Sequence, residues 1–148
     1  MVLDNLNWAI IEELQKNARI TFAELGRKIG LSAPAVAERV QRLEEDAVIK
    51  SFGVAIDWEK LGFLLQALIS VKIRPGLLSK FLNLVPKFNE VRECYRITGD
   101  NCLQLKVMVK NPGDLEKFID KLYEYGEPNT SIILSTPVEN RILSKPSI

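Results

Sequence analysis

The sequence predicts an α+β chain. A winged-type helix-turn-helix domain over residues 1–50 is followed by a ferredoxin-like βαββαβ domain over 63–148, with an extended linker or hinge over 51–62. Three observations predict this. Apolar residues recur at helical spacing as far as Leu43, then switch to period two from Leu65. A capped helix, a Gly-containing turn and a second capped helix lie between Thr21 and Glu45. From Leu65 onward the order strand, helix, strand, strand, helix, strand can be traced.

The first helix is expected over 7–17, with Ile10, Ile11 and Leu14 apolar and Asn7 able to cap it. The second, over 22–29, opens on a T-x-x-E capping box, Thr21 to Glu24, and buries Ala23, Leu25 and Ile29. Gly30 ends it, since a left-handed glycine is the least costly helix stop. Leu31 plugs the turn, Ser32 caps the third helix (33–45), and Pro34 sits in its first turn, where a missing N–H costs nothing. Val36, Val40 and Leu43 point inward. The opposite face carries Pro34, Glu38, Gln41, Arg42 and Glu45, flanked by Ala35 and Ala37. Small residues at its start let such a helix sit deep in a major groove. There Glu38 can accept from cytosine N4, Gln41 can pair with adenine, and Arg42 can reach guanine or phosphate.

Ala47 to Ile56 reads as extended chain. In the second domain Leu65, Ala67, Ile69, Val71 and Ile73 form one strand face, ended by Pro75-Gly76. A helix with Leu77, Leu78, Phe81, Leu82 and Val85 on one side follows. The second strand places Val91, Tyr95 and Ile97 on the core side, and the third places Leu103, Leu105, Val107 and Val109 there. A three-residue connection, Gly99-Asp100-Asn101, sets Val91 opposite Val109, Tyr95 opposite Leu105 and Ile97 opposite Leu103. Asn111 caps and Pro112 opens the last helix, with Leu115, Phe118, Ile119, Leu122 and Tyr123 as its stripe, and the final strand is expected over Ser131–Ser135. The other sheet face then shows Leu68, Ser70, Cys94, Arg96, Thr98, Cys102, Gln104 and Met108. That face is too apolar for water, so a second copy of the chain is its expected cover.

Composition narrows the function. The 148 residues contain no histidine and two cysteines, so imidazole catalysis has no donor, a transition-metal site is not expected, and no cofactor motif is present. No enzymatic activity, cofactor, metal or membrane partner is expected. The acidic start, without an apolar block, and the expected reduced state of Cys94 and Cys102 read as cytoplasmic. Net charge is +1, which argues against indiscriminate nucleic-acid binding. A local basic strip nevertheless runs through Lys16, Arg19, Arg27, Lys28, Arg39 and Arg42, which suits modest single-site affinity amplified by oligomerisation. The candidate DNA-contacting set is Arg27, Lys28, Ser32, Pro34, Ala35, Ala37, Glu38, Arg39, Gln41 and Arg42.

These residues carry a family resemblance. The pattern L-D-x-x-D-x-x-I-L-x-x-L is met by Leu3, Asp4, Ile10, Ile11 and Leu14, with Asn7 in place of the second acid. The pattern L-S-x-x-x-V-x-x-R-V-x-R-L-E is met by Leu31, Ser32, Val36, Arg39, Val40, Arg42, Leu43 and Glu44. The chain thus resembles, over essentially its whole length, the Lrp/AsnC transcription regulators. The resemblance implies sequence-specific binding of double-stranded DNA by a dimer or higher oligomer, commonly an octamer. It also implies a C-terminal RAM-type domain that dimerises and binds small effectors such as amino acids. The alternative reading is an architectural DNA-wrapping protein of the same fold with weak sequence preference.

The family's effector hairpin, approximately S/T-G-x-x-D-Y-L-L, falls on Thr98, Gly99, Asp100, Asn101, Cys102, Leu103, Gln104 and Leu105. Thr98, Gly99 and Leu105 match. The acid that would hold an effector's ammonium group is replaced by Cys102, and a neutral thiol makes no charge-assisted bond. Candidate effector contacts are Thr98, Gly99, Asp100, Asn101, Cys102 and Gln104, with a preference expected to depart from the family's.

Overall fold

The computed structural model describes residues 3–146, which divide into two compact units. One comprises the chain up to Ala55 together with the segment from Val138; the other runs from Ile56 to Pro137.

The first unit contains α1 (Asn5–Lys16), α2 (Phe22–Ile29) and α3 (Ala33–Glu45). Its core is Ile10, Leu14, Leu25, Val36, Val40 and Leu43, all buried. The first helix starts earlier than expected. Asp4, not Asn7, is its cap and accepts from the Asn7 backbone N–H at 2.7 Å. The full capping box of α2 is present, with the Thr21 hydroxyl accepting from Glu24 N–H and the Glu24 carboxylate accepting from Thr21 N–H. Ala23, expected inside, is exposed, and Gly26 takes a buried place instead. Past α3, Ala47 adopts a left-handed conformation (φ 55°). Its N–H donates to Glu44 O and the Val48 N–H to Leu43 O, both at 2.9 Å, which forms a Schellman stop without a glycine.

Residues 138–146, read from sequence as part of the second domain, pack on α1. Gln15 holds the Leu143 backbone reciprocally, donating to its carbonyl and accepting from its N–H, each at 2.9 Å. Glu12 accepts from the Lys145 N–H at 3.1 Å, and Asn5 accepts from Lys145 Nζ at 2.6 Å.

The second unit holds β1 (Leu65–Ile73), α4 (Leu78–Leu84) with a 3-10 turn Val85–Lys87, β2 (Val91–Arg96), β3 (Leu103–Val109), α5 (Pro112–Tyr123) and β4 (Gly126–Ile132). The antiparallel sheet is ordered β2-β3-β1-β4, with α4 and α5 supplying Phe81, Leu115, Phe118 and Leu122 to its core. This is the βαββαβ arrangement.

Two details depart from the sequence reading. β4 lies several residues earlier than Ser131–Ser135. It pairs with β1 alone, at the sheet edge, where Pro128 needs no second partner strand. The other is the β2–β3 register. Val91 pairs with Val107, but an irregularity at Arg92 shifts the ladder, so that Glu93 meets Lys106, Cys94 meets Leu105 and Tyr95 meets Gln104. A β-bulge reverses which side chains face the core. Cys94 therefore packs inward, while Tyr95 and Ile97, expected inside, are exposed. The bulged Arg92 stacks its guanidinium 4.6 Å from the Trp58 ring centroid and 5.6 Å from that of Phe63. The outer face thus offers Leu68, Ser70, Glu93, Tyr95, Ile97 and Gln104, rather than Cys94, Arg96 and Thr98. Met108, expected as part of that open face, is buried within the chain itself. Both cysteines are free, and burial raises the Cys94 thiol pKa.

Candidate nucleic-acid interface and effector hairpin

The turn between α2 and α3 is made by backbone packing on backbone. Gly30 supplies the left-handed stop (φ 76°), and the Leu31 N–H donates to the Gly26 carbonyl at 2.9 Å. A side chain at Gly26 would meet the Leu31 carbonyl oxygen at 2.3 Å, so only glycine fits there. Gly26 was missed in the sequence, where a glycine inside a helical pattern signals either cost or close approach. Ser32 caps α3 through a 3.4 Å bond from the Ala35 N–H. Together these features fix the angle at which α3 leaves the turn.

The exposed side of α3 carries Pro34, Glu38, Gln41 and Arg42, with Ala35 and Ala37 half-buried beside them. Its polar groups are tied to one another. Arg42 Nη2 lies 2.5 Å from Glu38 Oε1, and Gln41 Nε2 donates to Glu45 Oε1 at 2.7 Å. Arg39 turns elsewhere, donating through Nη1 to Asp4 Oδ2 at 2.8 Å and to Asn7 Oδ1 at 2.9 Å. Asn7 therefore ties α1 to α3, where the sequence suggested a cap. The Asn7 backbone N–H, and then Arg39, hold the Asp4 carboxyl below its ordinary range. A cleft of about 470 Å³ beside α3 is lined by Asp4, Asn7, Ala35, Glu38, Arg39 and Arg42, among others.

The basic strip is likewise partly paired, its six cations facing three carboxylates, Glu13, Asp4 and Glu38. Glu13 accepts from Lys16 at 2.6 Å and from Lys28 at 2.5 Å, and these two bonds bring its pKa down to about 2. Among the described residues, only Arg19 and Arg27 of the six strip cations have no carboxylate partner. Both Arg27 and Lys28 are exposed, on the last turn of α2.

The effector hairpin lies in the second unit. Thr98, Gly99, Asp100 and Asn101 are all exposed, with Gly99 at φ 103°. The connection is longer than the three residues expected, because the Ile97 N–H donates to the Cys102 carbonyl and leaves four residues between them. Cys102 Sγ lies 3.9 Å from the Val71 carbonyl oxygen, and Gln104 Oε1 accepts from the Ser70 hydroxyl at 2.7 Å. Of the six candidate contacts, Gln104 is thus joined to the sheet face and the first four form the loop tip. The described residues contain no cluster of potential metal ligands, and no helix is long and apolar enough to cross a membrane.

Comparison with known proteins gives one match for each part of the chain. Residues 3–44 match the AsnC-type helix-turn-helix domain, and residues 66–143 match the Lrp/AsnC ligand binding domain. The HTH-type transcriptional regulator LrpC of Bacillus subtilis is 36% identical over 135 residues, covering 91% of this chain and 94% of LrpC. The solved structure of B. subtilis LrpC superposes with a TM-score of 0.90 at 34% identity, over 95% of this chain and all of that one. The transcriptional regulator NMB0573 of Neisseria meningitidis, solved as an L-Met complex, superposes with a TM-score of 0.91 at 26% identity, over 96% of each chain.

Proposed function

This chain belongs to the Lrp/AsnC family of transcriptional regulators, which are not enzymes, and we propose that it binds double-stranded DNA sequence-specifically through α3. The observation that carries this is the pair of faces on α3. Val36, Val40 and Leu43 are sealed in the core, while Glu38, Gln41 and Arg42 stand exposed behind a small-residue, capped start. Arg27 and Lys28, exposed at the end of α2, are the proposed phosphate contacts, with Ser32, Pro34, Ala35 and Ala37 as the proposed close approach of α3. Arg39, engaged by Asp4 and Asn7, serves as the brace that orients α3. The chain's net charge of only +1 favours selective over indiscriminate binding, and so the regulator over the DNA-wrapping reading.

The protein acts as a homodimer or higher oligomer, octameric by family resemblance, in the cytoplasm. Leu68, Tyr95 and Ile97 on the outer sheet face support this, being too apolar to leave in water. The hairpin Thr98–Gln104 is the effector contact. The L-Met complex of NMB0573 makes an amino acid a reasonable class of ligand, but Cys102 leaves the ammonium without a carboxylate at that position. Asp100 is the remaining acid there.

Selection of duplexes from a random-sequence pool by the full chain, followed by footprinting, tests the DNA reading. Enrichment of one motif, with affinity falling steeply as salt rises, is the expected result. A pool that stays random after selection would support the wrapping protein instead.

A further inference from the structure

The exposed face of α3 is charged against its own purpose. Ala33–Glu45 carries three carboxylates, Glu38, Glu44 and Glu45, and only two guanidiniums, Arg39 and Arg42. Arg39 is spent on Asp4 and Asn7, and Arg42 is held by Glu38 at 2.5 Å. A helix with this balance is repelled by a polyanion unless its carboxylates meet donors on the bases.

The Glu38–Arg42 pair is well built to be exchanged. The side chains are 64% and 68% exposed, so no packing holds them together, and exposed ion pairs open at little cost. In the major groove cytosine is the base whose amino donor has no acceptor beside it on the same base, whereas adenine N6 sits beside N7. Guanine O6 and N7 offer Arg42 the fork it would otherwise take from Glu38. Residues four apart on a helix are separated by ~6 Å along its axis, close to two base-pair steps of ~3.4 Å.

We infer that Glu38 is a specificity-determining residue. It pairs with Arg42 in the free protein, and exchanging that pair for base contacts is favourable only over duplex DNA that presents a cytosine to Glu38 and a guanine to Arg42 within about two base-pair steps. Everywhere else the carboxylate faces the DNA unpaired and lowers affinity. This rests on the DNA-binding reading above and adds to it the base composition that α3 selects.

The test uses the full chain and its Glu38→Ala variant, with binding followed by fluorescence anisotropy. Two probes are needed: an alternating dA–dT duplex, and the duplexes the parent enriches from a random pool. On the dA–dT duplex, where Glu38 has no cytosine, the variant binds several-fold more tightly than the parent. On the enriched duplexes it binds roughly tenfold more weakly, as expected for one lost base contact, and selection with the variant no longer enriches C·G at that position. Glu38 is solvent-exposed, and matching thermal melts confirm that the variant is folded. Equal changes on both probes, or the same C·G enrichment by parent and variant, would overturn the inference while leaving DNA binding intact. A parent that binds no duplex would overturn the DNA reading itself, and this inference with it.

Discussion

Gly26 lies directly against the carbonyl of Leu31, five residues ahead: a Cβ at Gly26 would stand 2.3 Å from that oxygen. The Leu31 N–H completes the contact by donating to the Gly26 carbonyl. The turn of the helix-turn-helix is thus a backbone crossing with no room for a methyl group. Gly26→Ala should destabilise the chain by ~1–3 kcal/mol, the usual cost of overpacking, even though alanine is the better helix former. Urea denaturation followed by circular dichroism measures this. An alanine variant of unchanged midpoint would show that the turn relaxes freely.

At the other end of α3 the logic reverses. Ala47 occupies a left-handed position that disfavours a Cβ, yet the Schellman bonds around it are intact. Ala47→Gly should stabilise by ~0.5–1 kcal/mol, the relief of strain exceeding the added freedom of the unfolded chain. A higher melting temperature with unchanged helicity is the expected outcome.

Glu13 joins two helices by accepting from Lys16 in α1 and Lys28 in α2. Its pKa falls from an ordinary 4.5 to about 2, so the folded state favours the charged form. A lowered carboxylate pKa contributes stability that is fully present above the ordinary value and is lost as pH falls through the folded one. Glu13→Gln should therefore melt at a lower temperature than the parent at neutral pH, and the gap should close between pH 4.5 and about 2. Melting curves of both chains across that range decide it; a gap independent of pH would assign the effect to packing.

Leu68 and Tyr95 remain half-exposed on the outer sheet face, at 38% and 50%. Leu68→Arg should convert the oligomer to a smaller species, since the guanidinium would be stranded in an apolar contact. Light scattering reads the mass directly. The parent mass in the variant would exclude this face from the interface. Met108, buried inside the chain, is not a usable probe, because a charge there would unfold the domain instead.

Much of this molecule is legible from local chemistry. Thr21 with Glu24, Gly30, and Ser32 with Pro34 announce α2, the turn and α3, because caps and stops act within a few residues. The inward stripe Val36, Val40 and Leu43 follows from helical period, and the core faces of β1 and β3 from strict alternation. The candidate recognition face is legible for the same reason: it is what the stripe leaves outside.

What only the tertiary structure decided depends on residues far apart in the chain. Period two predicts a core face for β2 only if the strand is unbroken. The bulge at Arg92, whose guanidinium stacks on Trp58 and Phe63, turns Cys94 inward and Tyr95 outward. Arg39 reads as one more cation on a basic strip until Asp4 and Asn7, more than thirty residues away, are found to hold it. Lys16 and Lys28 likewise share one carboxylate, Glu13, which only the fold brings to Lys28. Sequence alone determined the inward stripes of α3, β1 and β3 and the caps that bound α2 and start α3, because those choices are made by local hydrogen bonds and by water. Which charges remain available to a partner was decided by folding, because an ion pair depends on distance in space and not on position along the chain.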